Sequence, residues 1–210
     1  MKKIIWVFIA ISVSFMLTSC NSDAKKESSK QGEDPILIKG HAFGLDSIGT
    51  FYRYRKAENV GTFKTGPIIV EIEAAETVQG RITTEFRTSD DTIYNPMELV
   101  NVHIRFKLNK EVNDNISFNN EKHLHLKTNT GDMIKQPDQF MSSVLNISTL
   151  KNTQETGMDS HLRQFTFLLK KTTAKELKNA TLLIDAPVNR SGDSLGKDLE
   201  IEIDFHTDNS

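Results

Sequence analysis

Two histidines two residues apart, His123 and His125, hold the chain's most concentrated coordination chemistry. In an extended strand, residues i and i+2 point to one face, so both imidazoles could meet one metal ion. His103, on the polar side of another alternating segment, would be a third ligand. The pattern also has a plainer meaning. His123, His125 and Lys127 alternate with Leu124 and Leu126, as a half-wet strand does. No carboxylate motif flanks the pair and no thiol accompanies it, so the metal reading lacks the ligand spacing of known zinc sites. The plainer reading is preferred, and no metal or cofactor is assigned. His123 and His125 stay as candidate contact residues.

A second group is Tyr52-Arg53-Tyr54-Arg55-Lys56. Aromatic rings interleaved with cations can grip glycans or nucleic acid by stacking and charge. The same five residues also fit one strand, with Phe51 or the tyrosines inward and Arg53 and Arg55 outward. The acidic balance of the chain favours the strand. Tyr52, Arg53 and Tyr54 are therefore candidate contacts on a sheet, with an envelope protein or glycan as partner. Asp90-Asp91 and the loop Asn189-Arg190-Ser191-Gly192-Asp193 offer oxygen ligands, but neither has the spacing of a calcium loop. Both read as turns. Gly44-Leu45-Asp46-Ser47-Ile48-Gly49 lacks the spacing of a nucleophile elbow. There is no phosphate-binding glycine loop and no dinucleotide fingerprint. No residue is assigned a catalytic role.

The chain has one cysteine, Cys20, directly after an apolar run. Lys2 and Lys3 precede that run, Ile4 to Leu17 form it, and the small residues Thr18 and Ser19 close it. Charged start, apolar centre and small-residue end are the parts of a secretory signal. The run is shorter than the roughly 20 residues a spanning helix needs. Leu17-Thr18-Ser19-Cys20 resembles the lipobox of bacterial lipoproteins. That resemblance implies a thioether-linked lipid on Cys20, cleavage after Ser19 and acylation of the new amino group. Residues 1–19 would be signal, and the product would sit on the extracytoplasmic face of the cell membrane. With Cys20 lipidated, disulfides and thiol chemistry are absent from the rest of the chain.

Without Lys2 and Lys3 the 26 basic residues become 24 against 28 acidic ones. That balance argues against a nucleic-acid binder and against a polybasic grip on anionic lipid. After Cys20, residues Asn21 to Asp34 contain no large apolar side chain. Such a stretch cannot offset its ordering entropy and reads as a tether, with a root-mean-square reach of about 20 Å. The remaining residues, 35–210, are long enough for one domain.

That domain reads as β. Val100, Val102, Ile104, Phe106 and Leu108 alternate with Asn101, His103, Arg105 and Lys107. Leu199, Ile201, Ile203 and Phe205 alternate with Glu200, Glu202, Asp204 and His206. Phe165, Phe167 and Leu169 repeat the pattern. Further strands are expected at Ile68 to Glu73, Arg81 to Arg87, His123 to Thr128 and Thr181 to Asp185. Residues 35–66 are broken by glycines and suggest a strand or hairpin. The one helical candidate is Thr172 to Asn179, with Thr172 or Thr173 as cap. Short strands, turn signals between them and little helix predict an all-β antiparallel sandwich with one face of each sheet in water.

The order of these features resembles the telokin-like, immunoglobulin-like lipoproteins of unknown function from Gram-positive bacteria. It comprises lipobox, polar tether, Ile68 to Glu73, the long strand after Asn95-Pro96, His123 to Thr128 before Gly131-Asp132, then Phe165 to Leu169, a short helical stretch and an acidic last strand. The likeness spans roughly residues 35–206. One departure is the segment Gln154 to Ser160, where those domains commonly carry a longer Gly- or Pro-marked turn. The resemblance implies an immunoglobulin-like fold and an envelope location, and no catalytic residue. The expected role is a non-enzymatic binding or interaction module. The alternatives are a metal-dependent envelope enzyme, which needs histidines and a carboxylate in one pocket, and a solute-binding lipoprotein, which needs an apolar pocket between the sheets.

Overall fold

The alternating segments become the long central strands of two antiparallel sheets packed face to face. The computed structural model describes residues 34–40, 44–83, 96–109, 115–156 and 162–207. In chain order the strands are β1 (Ile36–Leu37), β2 (Gly49–Thr65), β3 (Ile68–Ile82), β4 (Met97–Leu108), β5 (Ile116–Ser117), β6 (Leu124–Thr128), β7 (Met133–Ile134), β8 (Leu162–Leu168), β9 (Asn179–Ile184), β10 (Val188–Asn189), β11 (Leu199–Asp204) and β12 (His206–Thr207). Among the described residues three helices interrupt them: α1 (Leu45–Ile48), α2 (Asn120–His123) and α3 (Ile147–Glu155). The large sheet runs β1-β2-β3-β4-β8, with β12 also on β2. The small one runs β11-β9-β6-β7. The all-β sandwich expected from the alternation is the fold of this chain.

The main core lies between the sheets. Val100, Val102, Ile104 and Phe106 of β4 meet Phe165 and Phe167 of β8, Leu124 and Leu126 of β6, Leu182 and Ile184 of β9, and Ile201 and Ile203 of β11. Phe106 and Phe165 pack edge to face, with centroids 6.0 Å apart, the arrangement the ring quadrupoles favour. The chain changes sheet at buried Phe205: β11 ends on β9, and His206–Thr207 pair with Lys56 and Arg55 of β2.

Several expectations need correction. β3 does not stop near Glu73 but continues to Ile82. A bulge between Ile72 and Ala74 reverses its parity. Ile68, Val70 and Ile72 face the main core, and beyond the bulge Ala75 does. Val78 and Ile82 therefore turn to the opposite face, because the side-chain period is two and one extra residue exchanges the faces. There they join Phe51, Met97 and Leu99 in a second core covered by Ile38, Leu45 and Met141. So the outer face of the large sheet is dry at one end, not wet throughout. Asn101, expected on a solvated face, is fully buried, and its Oδ1 accepts from the Thr166 hydroxyl at 2.8 Å. The segment Arg81 to Arg87 supplies only Arg81 and Ile82 to β3. Its remainder beyond Thr83, like Asp90-Asp91, lies outside the described residues.

Thr172 to Asn179 is a turn, not a helix. Glu176 and Leu177 amides reach the Thr173 carbonyl, but the chain then enters β9 at Asn179. The nine-residue helix is α3 instead, opened by Asn146, whose Oδ1 accepts from the Thr149 amide while the Thr149 hydroxyl accepts from the Asn146 amide. This reciprocal cap satisfies two of the amide donors a helix start leaves open.

Candidate binding cleft

The two central histidines do not share a strand. Asn119 caps a single helical turn by accepting from the Lys122 amide at 2.9 Å, and that turn ends at His123. His123 is buried, with its ring centroid 4.9 Å from that of Phe118. His125 lies one step into β6, between the Lys135 carbonyl, 2.6 Å from Nδ1, and Asp185 Oδ2, 3.0 Å from Nε2. His103 is elsewhere, on β4, 3.2 Å from Gln164 Oε1. The shared-face geometry behind the metal reading is thus replaced by a helix–strand junction. Among the described residues no group of three His, Asp or Glu side chains is placed to hold a metal ion.

Burial pushes the His123 imidazole below its ordinary value near 6.5, outweighing the Asn119 carbonyl and the Asp185 charge, which act the other way. The unfolded chain then binds this proton more readily than the folded one. Stability from this group is complete above about pH 6.5 and is lost as pH falls from there through the depressed folded value. Urea unfolding at pH 7.5 and pH 5 should show a loss on acidification that shrinks in His123→Phe. An equal loss in the variant would place its origin elsewhere.

Tyr52, Arg53 and Tyr54 do lie on a strand, β2, but not as one patch. A register shift between Arg53 and Arg55 separates them. Tyr52 is exposed opposite Leu37. Arg53 Nη1 donates to Glu76 Oε1 at 2.9 Å on the outer face. The Tyr54 hydroxyl reaches Gln79 Oε1 at 3.4 Å, with its pKa raised by burial and by the nearby Glu98 charge. Asn189 to Asp193 forms a self-contained turn: Asn189 Oδ1 accepts from the Asp193 amide and Asn189 Nδ2 donates to Asp193 Oδ2. Gly44 to Gly49 is the one-turn helix α1 leading into β2.

The arrangement best suited to a ligand was not among the residues singled out by sequence. It is an open cleft of about 710 Å³ where the edges of the two sheets meet. Its lining includes Met133, Lys135 and Phe140 from the segment after β6, and Leu168 and Lys170 from the end of β8. Phe140 is 60% exposed and Met133 54%. Exposed large apolar side chains around one concavity are an informative departure from an ordinary surface.

Local chemistry builds this cleft. Gly131, with φ 95°, closes the turn between β6 and β7, and the Thr128 amide donates to the Asp132 carbonyl. The buried carboxylate of Asp132 then accepts from the backbone amides of Lys170 and Lys171 at 3.3 and 3.0 Å. One side chain of the small sheet thus fastens the end of the large sheet's edge strand. Asp138 Oδ1 accepts from the amides of Phe140 and Met141, turning the chain so that Phe140 stands outward while Met141 enters the second core. Both carboxylates in the lining are therefore engaged by backbone. Lys135 and Lys170 are exposed and make no ion pair among the described residues. In the sequence, Met133, Ile134 and Phe140 stand scattered among the polar residues around Pro137 and form no pattern that marks a cleft.

This is a two-sheet antiparallel sandwich with a cleft of mixed apolar and polar lining at one edge. The chain matches no protein family, no curated protein and no solved structure among those compared.

Proposed function

We propose that the chain is a lipid-anchored binding module of the cell envelope, held at the extracytoplasmic face through Cys20, whose partner enters the cleft around Phe140. The observation that carries the binding role is the pairing of exposed Phe140 and Met133 with Lys135 and Lys170 on a concavity of ligand size. The anchoring half rests on the lipobox-like Leu17 to Cys20, and two acyl chains suffice for stable attachment. A non-enzymatic role agrees with a lining whose carboxylates are tied to backbone amides.

Two measurements test the halves separately. Cys20→Ser should abolish incorporation of labelled fatty acid, and persistent labelling refutes the anchor. A photo-reactive amino acid at position 140 in the otherwise intact chain should give a discrete adduct in cells. The same probe at Lys64, on another strand, should not. Adducts of equal yield from both positions would remove the cleft from the function.

A further inference from the structure

The edge strand β8 is closed to pairing at Gln164 and Thr166. The Leu169 amide donates to the Glu98 carbonyl of the neighbouring strand β4 at 2.8 Å, and the β4–β8 register then turns the amides and carbonyls of Gln164, Thr166 and Leu168 away from β4. Gln164 is satisfied by Ser143: its amide donates to the hydroxyl at 3.1 Å and its carbonyl accepts from the Ser143 amide at 2.8 Å. Thr166 is satisfied in the same way, its amide by the Ser142 hydroxyl at 2.9 Å and its carbonyl by the Asp138 amide at 2.7 Å. Past the gap, the Lys170 amide is held by Asp132. Between these two closures stands Leu168, with no hydrogen bond to its outward amide or carbonyl among the described residues.

The small sheet has a matching gap. The hydrogen-bonded end of the β6–β7 hairpin at Thr128 and Asp132 makes Lys127 and Met133 the non-bonded pair, so Met133 turns its amide and carbonyl away from β6. No partner for them occurs among the described residues. Leu168 and Met133 line the same cleft. Proteins ordinarily cover such edges, as this one does at Gln164 and Thr166.

We infer that the cleft takes an extended peptide segment as an added strand, its backbone pairing with Leu168 and Met133. This inference rests on the binding role proposed above and names its ligand class. An extended segment offers amides and carbonyls on both edges and side chains on alternate faces. Its apolar side chains would lie against Phe140 and Met133, and its acidic ones would meet Lys135 and Lys170, the free charges of the lining. The partner is therefore an extended peptide that carries both apolar and acidic residues.

The test uses the full-length chain in detergent and three synthetic heptapeptides: alternating Glu and Val, alternating Lys and Val, and the Glu–Val peptide N-methylated at alternate amides. Fluorescence anisotropy should show binding of the Glu–Val peptide, and weakening by about tenfold or more on N-methylation, as loss of two backbone hydrogen bonds implies. Lys135→Glu/Lys170→Glu should reverse the preference toward the Lys–Val peptide. Hydrogen exchange should slow at Leu168 or Met133 when the Glu–Val peptide is bound. The inference is overturned if none of the peptides binds, if N-methylation changes nothing, if charge reversal leaves the preference intact, or if neither amide is protected. If the probe at position 140 still captures a partner while the peptides fail, strand addition falls and the binding role stands. If capture and peptides both fail, both fall.

Discussion

Asp132→Ala is expected to destabilise the fold by about 2–4 kcal/mol, because it strips a buried acceptor from two backbone amides. The loss has two parts. The amides of Lys170 and Lys171 lose a charge-assisted partner, and alanine offers nothing in its place. The contact is also a fastening between sheets, since the carboxylate sits beside the β6–β7 hairpin and its donors lie just beyond β8. Asp132→Asn keeps an oxygen in the same position and should recover much of the stability. Urea denaturation of the three proteins measures this. If alanine and asparagine are equally destabilised, the oxygen is not the source. The cleft should respond more sharply than the whole fold. Met133 and Leu168 are set relative to each other by this bond, so ligand capture at position 140 should be lost in Asp132→Ala even where the protein remains folded.

Gly80→Val should cost about 3 kcal/mol, by overfilling a packed core. Gly80 is the cross-strand partner of Phe51, and a Cβ at position 80 would overlap that ring. Phe51 is 1% exposed and lies in the second core, so it has no empty volume to enter. The aromatic ring covers a glycine backbone on the neighbouring strand, a pairing that compensates for a residue otherwise poor in sheets. Substitutions at the two positions should be non-additive. Phe51→Leu alone should destabilise, yet in the Gly80→Val background it should cost less or restore stability, since it vacates the space valine needs. Simple addition of the two effects would show that the contact does not govern the site.

The parts legible in the sequence are those governed by one period. β4, β8 and β11 each keep strict alternation across the main core, and each is found where alternation puts it. β3 was legible only to its bulge, because Ala74 onward obeys the opposite parity and reads as a break. α3 was hidden for another reason. Its apolar residues are few, Ile147 and Leu150 among Ser, Thr, Asn and Gln, and its cap uses Thr149 where a Glu or Gln would have signalled it. The histidine pair misled because a one-turn helix, set by Asn119, is too short to disturb a two-residue pattern. The cleft could not be read at all. It depends on which backbone edges remain unpaired, and that follows from β7 and β8 lying on the same side of the sandwich, a property of topology that residue types do not encode.

The late return of the chain to β2 has a bearing on how this protein comes into being. His206 pairs with Lys56 and Thr207 with Arg55, so the large sheet gains its last strand only when residues far apart in sequence meet. β11 likewise completes the small sheet late. Topologies dominated by such distant pairings fold slowly. For a chain proposed to be threaded through a membrane and modified at Cys20, that delay is useful. On that proposal the leading segment would be delivered and acylated while the sandwich is still open, and closure would follow on the far side once the distal strands arrive.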